Sequence, residues 1–187
     1  MTLTLNAAVL FDYVKHNQLS FSRCYLYLLL KATNNYQPMA LRIVNGEVWH
    51  FKNINASVVQ LCEDESFRFS YLDYFSEYPQ FDEFATHAVA KAKTECLFSQ
   101  DFNNNEGQRN TLYVSVLPWI NFTSFQHATH LPSETGIPKL VFGQFKKSTG
   151  TMPLSIEVHH GLMDGVHVAK FVQLLQDYFN NPHLHLT

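Results

Sequence analysis

The chain has 187 residues, of which 46% are hydrophobic and 14% aromatic, and this length suits one folded domain with a large core. Its net charge is −3 and Lys146-Lys147 is its densest basic stretch, which excludes a nucleic-acid backbone as the expected partner because phosphate binding needs a basic surface. The longest apolar run has seven residues, far fewer than the roughly 20 that cross a bilayer, so we expect no membrane partner.

The cysteines indicate a reducing compartment. Cys24, Cys62 and Cys96 are odd in number, far apart and without a C-x-x-C spacing, which favours neither a disulfide framework nor a zinc site. We therefore expect reduced core cysteines, no metal, and a single cytoplasmic domain over residues 1–187.

The first part of the chain predicts a strand, a short helix, a longer helix and a hairpin. In order, these are TLTLN (2–6), a segment from Asn6 to Lys15, FSRCYLYLLLKATNN (21–35) and LRIV-NG-EVWHF (41–51). Alternation predicts the strand, Ser20 is a candidate helix cap, and Asn-Gly is a strong hairpin signal.

The rest of the chain predicts further strands and helices in alternation. The predicted strands are FRFSYL (67–72), TLYVSVLPW (111–119), KLVFGQF (139–145) and MPLSIEV (152–158). Helices are predicted over 82–97 and from Asp164-Gly165 onward. The segment 99–110 is predicted as a polar loop, and later loops carry Pro132, Gly136 and Gly150. This order predicts an α/β fold, a two-layer sandwich in which helices cover a mixed β-sheet.

The stretch VHHGLMDGVHVAKF (158–171) carries the strongest chemical signal. A histidine can accept a proton near neutral pH, and one that follows a strand can project into a cleft. Neighbouring strand residues point to opposite faces, so only one of His159 and His160 can serve a given pocket. Asp164, at the start of the last helix, is favoured there by the helix dipole.

Each of these residues also has a purely structural interpretation. His160 taken alone suits a packed core or loop histidine, Asp164 suits a helix cap and loop brace, and Ser124 suits a turn. His167 is expected to be a surface helix residue, since no metal-binding motif accompanies it. Trp119 is expected either in the core or in a pocket wall.

Four stretches together resemble a known family. HHGLMDG (159–165), LPWINFTSF (117–125), MPLSIEVHH (152–160) and DGVHVAKFVQLLQDY (164–178) are similar to the chloramphenicol acetyltransferase family, CoA-dependent acyltransferases with an H-x-x-x-D-G motif. A weaker likeness reaches back to TLTLN, so the resemblance covers nearly the whole chain.

The resemblance implies a role for three residues. His160, separated from the aspartate by three residues, would be the catalytic base, and the Ser124 hydroxyl would help bind the tetrahedral intermediate. Asp164 would brace the site through an arginine rather than relay protons. The family likeness further implies acetyl-CoA as co-substrate, no metal, a chloramphenicol hydroxyl as acceptor, a role in antibiotic resistance, and a homotrimer with active sites at subunit interfaces. No coenzyme-binding residue is assigned.

Two alternatives stay open because the chain departs from the family pattern. In the family an N-terminal segment supplies the arginine and part of the acceptor pocket, whereas this chain begins at the strand after that segment. Asp164 is therefore expected to find another partner or to remain solvated. The alternatives are a non-catalytic ligand-binding or scaffold homologue, and an acyltransferase for another small hydroxylated acceptor.

Overall fold

A computed structural model of the protein describes residues 1–128 and 135–187; the loop position predicted at Pro132 lies outside them. The strands are β1 (Thr2–Asn6), β2 (Leu41–Val44), β3 (Glu47–His50), β4 (Asn55–Leu61), β5 (Phe67–Leu72), β6 (Thr111–Val116), β7 (Lys139–Phe142) and β8 (Thr151–Glu157). The helices are α1 (Ala8–His16), α2 (Phe21–Asn34), α3 (Tyr78–Thr94), α4 (Gln100–Asn105) and α5 (Gly165–Asn180), with 3-10 turns at Gln37–Ala40 and Pro182–Leu184.

The main sheet is mixed, and this confirms the predicted fold class. Its strand order is β1-β8-β7-β6-β4-β5, and β2 and β3 form a separate hairpin. The β4–β6 and β6–β7 pairs are parallel and the other pairs are antiparallel. Helix α3 packs on β5, α5 packs on β1, and α2 packs on both helices. The result is a layer of helices over a sheet, in which β1 is an edge strand.

Local sequence signals explain the first elements. Ser20 caps α2, its Oγ accepting from the Arg23 N–H at 3.5 Å, and the helix is buried without interruption over 24–30. The predicted hairpin is confirmed, with positive φ angles at Asn45 (52°) and Gly46 (82°) in its turn. The α1 prediction is shifted by one residue at its end, and the Asn6 side chain accepts from the Ala8 N–H at 3.1 Å.

Some of the sequence interpretations are wrong or incomplete. The segment 99–110 is not only a loop, because Ser99 Oγ accepts from the Phe102 N–H at 3.2 Å and begins α4. The Phe102 ring lies 5.9 Å from the Phe69 ring of β5, so packing overrides the polar composition. Helix α3 begins at Tyr78, before the predicted start, with Pro79 in its first turn. Strand β4 was not predicted at all.

The cysteines only partly follow the prediction. All three are free, but Cys24 is buried, Cys62 is half-buried and Cys96 is exposed, so the core assignment is right for Cys24 alone. Burial raises the pKa of the Cys24 thiol to about 11. Across the two described ranges, the helices are too short or too polar to span a membrane.

One cation is completely buried at the base of the hairpin. The Arg42 guanidinium donates to the carbonyl oxygens of Arg109 (2.8 Å), Met39 (2.9 Å), Leu41 (2.7 Å) and Thr111 (2.7 Å). Burial lowers the pKa of Arg42 to about 10, so the group stays charged near neutral pH. Arg42 thereby joins β2 to the segment that enters β6.

Candidate active site

The first candidate residue, His160, lies at the tip of a tight turn between β8 and α5. The His159 carbonyl accepts from the N–H groups of Leu162 (2.9 Å) and Met163 (3.0 Å), and this closes the turn. Met163 is buried and anchors its far end, whereas His160 and Gly161 are exposed. The core therefore does not enclose the imidazole of His160.

The neighbouring histidine has a local structural contact. His159 is half-buried, and its Nδ1 accepts from the Gly161 N–H at 3.1 Å. This contact suits the structural interpretation of His159 and stiffens the turn on which His160 stands.

Asp164 has a partner that sequence reasoning missed. Its Oδ1 accepts from the N–H groups of Val166 (2.9 Å) and His167 (3.2 Å), and His167 Nδ1 lies 2.8 Å from the same oxygen. Hydrogen bonds from the His167 backbone and then from its side chain hold the pKa of Asp164 below its usual value. The available signal was the spacing D-x-x-H, which places a histidine at the third position of the helix that Asp164 caps.

His167 is therefore not merely a surface residue, although it does remain 43% exposed. In the part of the chain that the structure describes, His, Cys, Asp and Glu side chains form no group of three suited to a metal ion. The geometry gives His167 a role at Asp164 instead.

Ser124 lies in the long segment that follows β6. The residue is exposed and lines a cavity of about 490 Å³ with Thr2, Thr123 and Glu157. A second cavity of about 270 Å³ also contains Thr2 and Thr123 and extends to Lys146. The two cavities form a groove along β1 with Ser124 on its wall.

The segment that carries Ser124 is tied to the edge of the sheet. Ser155 Oγ donates to the Phe125 carbonyl at 3.0 Å, and the Phe125 N–H donates to Thr2 Oγ1 at 3.3 Å. Farther on, His127 Nδ1 lies 3.2 Å from Glu157 Oε2. These contacts tie the chain that follows Ser124 to β1 and to β8.

Ser124 and His160 have separate surroundings in the described part of the chain. The described residues show no hydrogen bond between Ser124 and His160, and His160 lines neither cavity of the groove.

Another cavity, of about 530 Å³, opens between α2 and α3 over the sheet. Its lining is largely apolar and includes Leu26, Val58 and Val89, and Trp119 stands at its rim with 55% of its surface exposed. Trp119 therefore belongs to a pocket wall and not to the core.

A cationic aromatic cluster lies where α1 meets the segment after β7. The rings of Phe11 and Phe145 stack with centroids 4.6 Å apart, and Nζ of Lys15 and of Lys147 lie 5.4 Å and 5.8 Å from the Phe11 ring. Such a surface can hold an anionic group beside a flat one. Sequence reasoning missed it because Phe11 and Phe145 are distant along the chain.

Comparisons with known proteins identify the family. The sequence profile of the family described as chloramphenicol acetyltransferase matches residues 1–176. A chloramphenicol acetyltransferase of Bacillus pumilus is 27% identical over 195 aligned residues, covering 100% of this chain and 88% of the relative. Chloramphenicol acetyltransferase 3 of Escherichia coli is 29% identical over 161 residues, covering 83% and 73%.

Solved structures give the same fold. A chloramphenicol acetyltransferase superposes with a TM-score of 0.85 at 22% identity, covering 96% of this chain and 86% of the other. A probable dihydrolipoamide acetyltransferase from Listeria monocytogenes gives a TM-score of 0.73 at 15% identity, covering 97% and 83%. The chain therefore belongs to the chloramphenicol acetyltransferase family and is a homologue of acyltransferases.

Proposed function

We propose that the protein is an acetyl-CoA-dependent O-acetyltransferase that acetylates a hydroxyl of chloramphenicol, with His160 as general base. Residues 1–187 act as one acyltransferase-like domain, in the cytoplasm, where the three cysteines stay reduced. The observation that carries the proposal is the placement of His160, exposed at the tip of a turn that is fixed on both sides by β8 and by Met163.

The chemistry needs one proton acceptor at the acceptor hydroxyl. His160 takes the hydroxyl proton as the oxygen attacks the thioester carbonyl of acetyl-CoA, and the protonated imidazole then returns the proton to the CoA sulfur as the tetrahedral intermediate breaks down. A positioned base of this type contributes roughly 10²–10⁴-fold in rate. These steps use neither a metal ion nor a covalent acyl-enzyme.

Ser124 supplies the second interaction. Its hydroxyl donates a hydrogen bond to the negatively charged oxygen of the tetrahedral intermediate, and one donor of this kind is worth about 3 kcal/mol in the transition state. Its exposure on the wall of the groove supports this role, because a ligand in the groove can reach the hydroxyl.

The active site is shared between subunits of a homotrimer. His160 of one subunit faces the groove along β1 of the next subunit, which carries Ser124 on its wall. The lack of a shared cavity or hydrogen bond between the two residues in one chain supports this arrangement. The chain also exposes large apolar side chains that subunit contacts would cover, among them Val48, Trp49 and Ile120.

The coenzyme binds along the β1 groove. Lys146 lies at one end of the groove and Ser124 at the other, which suits a long ligand with anionic phosphates at one end and a thioester at the other. The cluster of Lys15, Lys147 and the stacked rings of Phe11 and Phe145 offers further cationic and flat surface for the nucleotide part.

A thiol-release assay tests the proposal. Purified protein is mixed with acetyl-CoA and chloramphenicol, and free CoA thiol is followed over time. We expect His160→Ala to lower kcat at least 10²-fold and Ser124→Ala to lower it about 10²-fold. His183→Ala, a change at another exposed histidine, is the control and should leave kcat unchanged.

The same assay separates the two alternatives. Tight binding of CoA or chloramphenicol without thiol release would favour a non-catalytic ligand-binding or scaffold homologue. Thiol release only with other alcohols would favour an acyltransferase for another small hydroxylated acceptor. Full activity of His160→Ala would refute the assignment of the base.

A further inference from the structure

The turn that carries His160 is joined to α5 through a single residue, Asp164. The N–H groups of Leu162 and Met163 hold the start of the turn through the His159 carbonyl. Beyond Met163, the chain enters α5 directly at Asp164, which is the N-cap. The orientation of Asp164 therefore sets how the helix connects to the turn.

His167, one helical turn further along α5, fixes the orientation of the Asp164 side chain. Its Nδ1 lies 2.8 Å from Asp164 Oδ1 and 3.2 Å from the Asp164 backbone nitrogen. One ring nitrogen cannot donate to the carboxylate and accept from the N–H group at the same time. The shorter contact requires a proton on Nδ1, because an unprotonated nitrogen would face a carboxylate oxygen with two lone pairs opposed.

We propose that His167 is a positioning residue for catalysis, which holds Asp164 and through it the turn that presents His160. The kinetic part of this inference rests on the proposed acyltransferase function. The described arginines are engaged elsewhere, Arg23 with Asp82 and the other three with backbone carbonyls. In the described residues, His167 is thus the basic side chain that contacts Asp164.

Substitutions at His167 separate positioning from general stability. In His167→Ala, the contact with Asp164 Oδ1 is lost, while the backbone N–H groups of residues 166 and 167 still cap the helix. We expect kcat to fall about tenfold and KM for acetyl-CoA and for chloramphenicol to stay within twofold. His167→Asn retains an N–H donor close to the position of Nδ1 and should recover most of kcat.

The control is Lys170→Ala, an exposed change on the same helix, which should leave kcat and KM unchanged. An unchanged kcat in His167→Ala would overturn the inference. So would a kcat for His167→Asn as low as that for His167→Ala, since the inference depends on a donor at that position and not on the ring.

A second measurement does not depend on turnover. The amides of Leu162 and Met163 close the turn, so we expect their hydrogen exchange to be at least fivefold faster in His167→Ala and close to wild type in His167→Asn. Unchanged exchange in His167→Ala would refute the inference. If the wild-type protein shows no turnover with any alcohol, the proposed function fails, while the exchange rates still decide whether His167 holds the turn.

Discussion

Gly136 packs against Leu162 in the turn that carries His160, and a substitution there tests whether this packing supports the turn. The residue has a φ of +70°, and a Cβ added there would lie 2.5 Å from Leu162 Cδ1 and 3.6 Å from the Ile43 backbone nitrogen. In Gly136→Ala, the left-handed backbone costs about 1–2 kcal/mol. Moving the Leu162 side chain out of its rotamer costs about 1 kcal/mol more. We expect the free energy of unfolding to fall by about 2–3 kcal/mol in total.

A matched glycine separates the two costs in urea denaturation. Gly46 has a φ of +82° and no heavy atom within 4 Å of an added Cβ, so Gly46→Ala should lose only the backbone cost of about 1–2 kcal/mol. Adding Leu162→Ala to Gly136→Ala removes the clash. The double variant should therefore lose about 1 kcal/mol less unfolding free energy than the sum of the losses in the two single variants.

The thiol-release assay gives the functional result. Because Leu162 lies within the turn, Gly136→Ala should lower kcat about tenfold, whereas Gly46→Ala should leave kcat unchanged. Equal stability losses in the two variants, strict additivity with Leu162→Ala, and an unchanged kcat would together refute the packing of Leu162 on Gly136 as a support of the catalytic turn.

Four further predictions follow from other contacts. Arg42→Met leaves carbonyl oxygens without their buried donor and should lower the free energy of unfolding in urea by at least about 3 kcal/mol; a loss below about 1 kcal/mol would contradict it. Asp82→Ala removes the carboxylate that accepts from Arg23 Nε (2.6 Å) and Tyr78 OH (2.7 Å). The free energy of unfolding should fall by about 1–2 kcal/mol in the same assay, a modest loss because the ion pair is partly exposed. Because the pKa of Asp164 is lowered, its carboxylate stabilises the fold above its ordinary pKa of 3.8 and this stabilisation is lost as pH falls through the native pKa. The difference in Tm between wild type and Asp164→Asn should therefore become smaller as the pH is lowered from 7 to 3. A difference that stays constant would contradict a stabilising contact between the Asp164 carboxylate and His167. Lys147→Ala should raise KM for acetyl-CoA several-fold and leave KM for chloramphenicol unchanged in steady-state kinetics.

Local signals in the sequence predicted much of the fold. The Ser20 cap, the Asn45-Gly46 turn and the Asp164 helix start depend on neighbouring residues, so the sequence alone was sufficient for them. Strand β4 was missed because NASVVQL mixes polar and apolar residues. It is a strand because β5 and β6 flank it on both sides, and such pairing is not visible in a local pattern.

Contacts within the candidate site could be predicted from residue spacing only where the residues are close in sequence. The turn around His160 and the cap at Asp164 form one continuous stretch, and the D-x-x-H spacing could have revealed His167. The groove along β1 combines residues 1–4, 121–126, 146, 149, 151, 153 and 155–157, and no periodicity links positions so far apart. The supporting contact between Gly136 and Leu162 was hidden for the same reason.

The buried guanidinium of Arg42 has a consequence for the order of folding. Its acceptors come from two stretches of chain about 70 residues apart, at Met39 and Leu41 and at Arg109 and Thr111. Until both stretches are in place, the guanidinium is more stable in water than buried with only some of its carbonyl acceptors. Partly folded states in which the hairpin docks early are therefore disfavoured, and the hairpin and the start of β6 should become protected from solvent in one cooperative kinetic step.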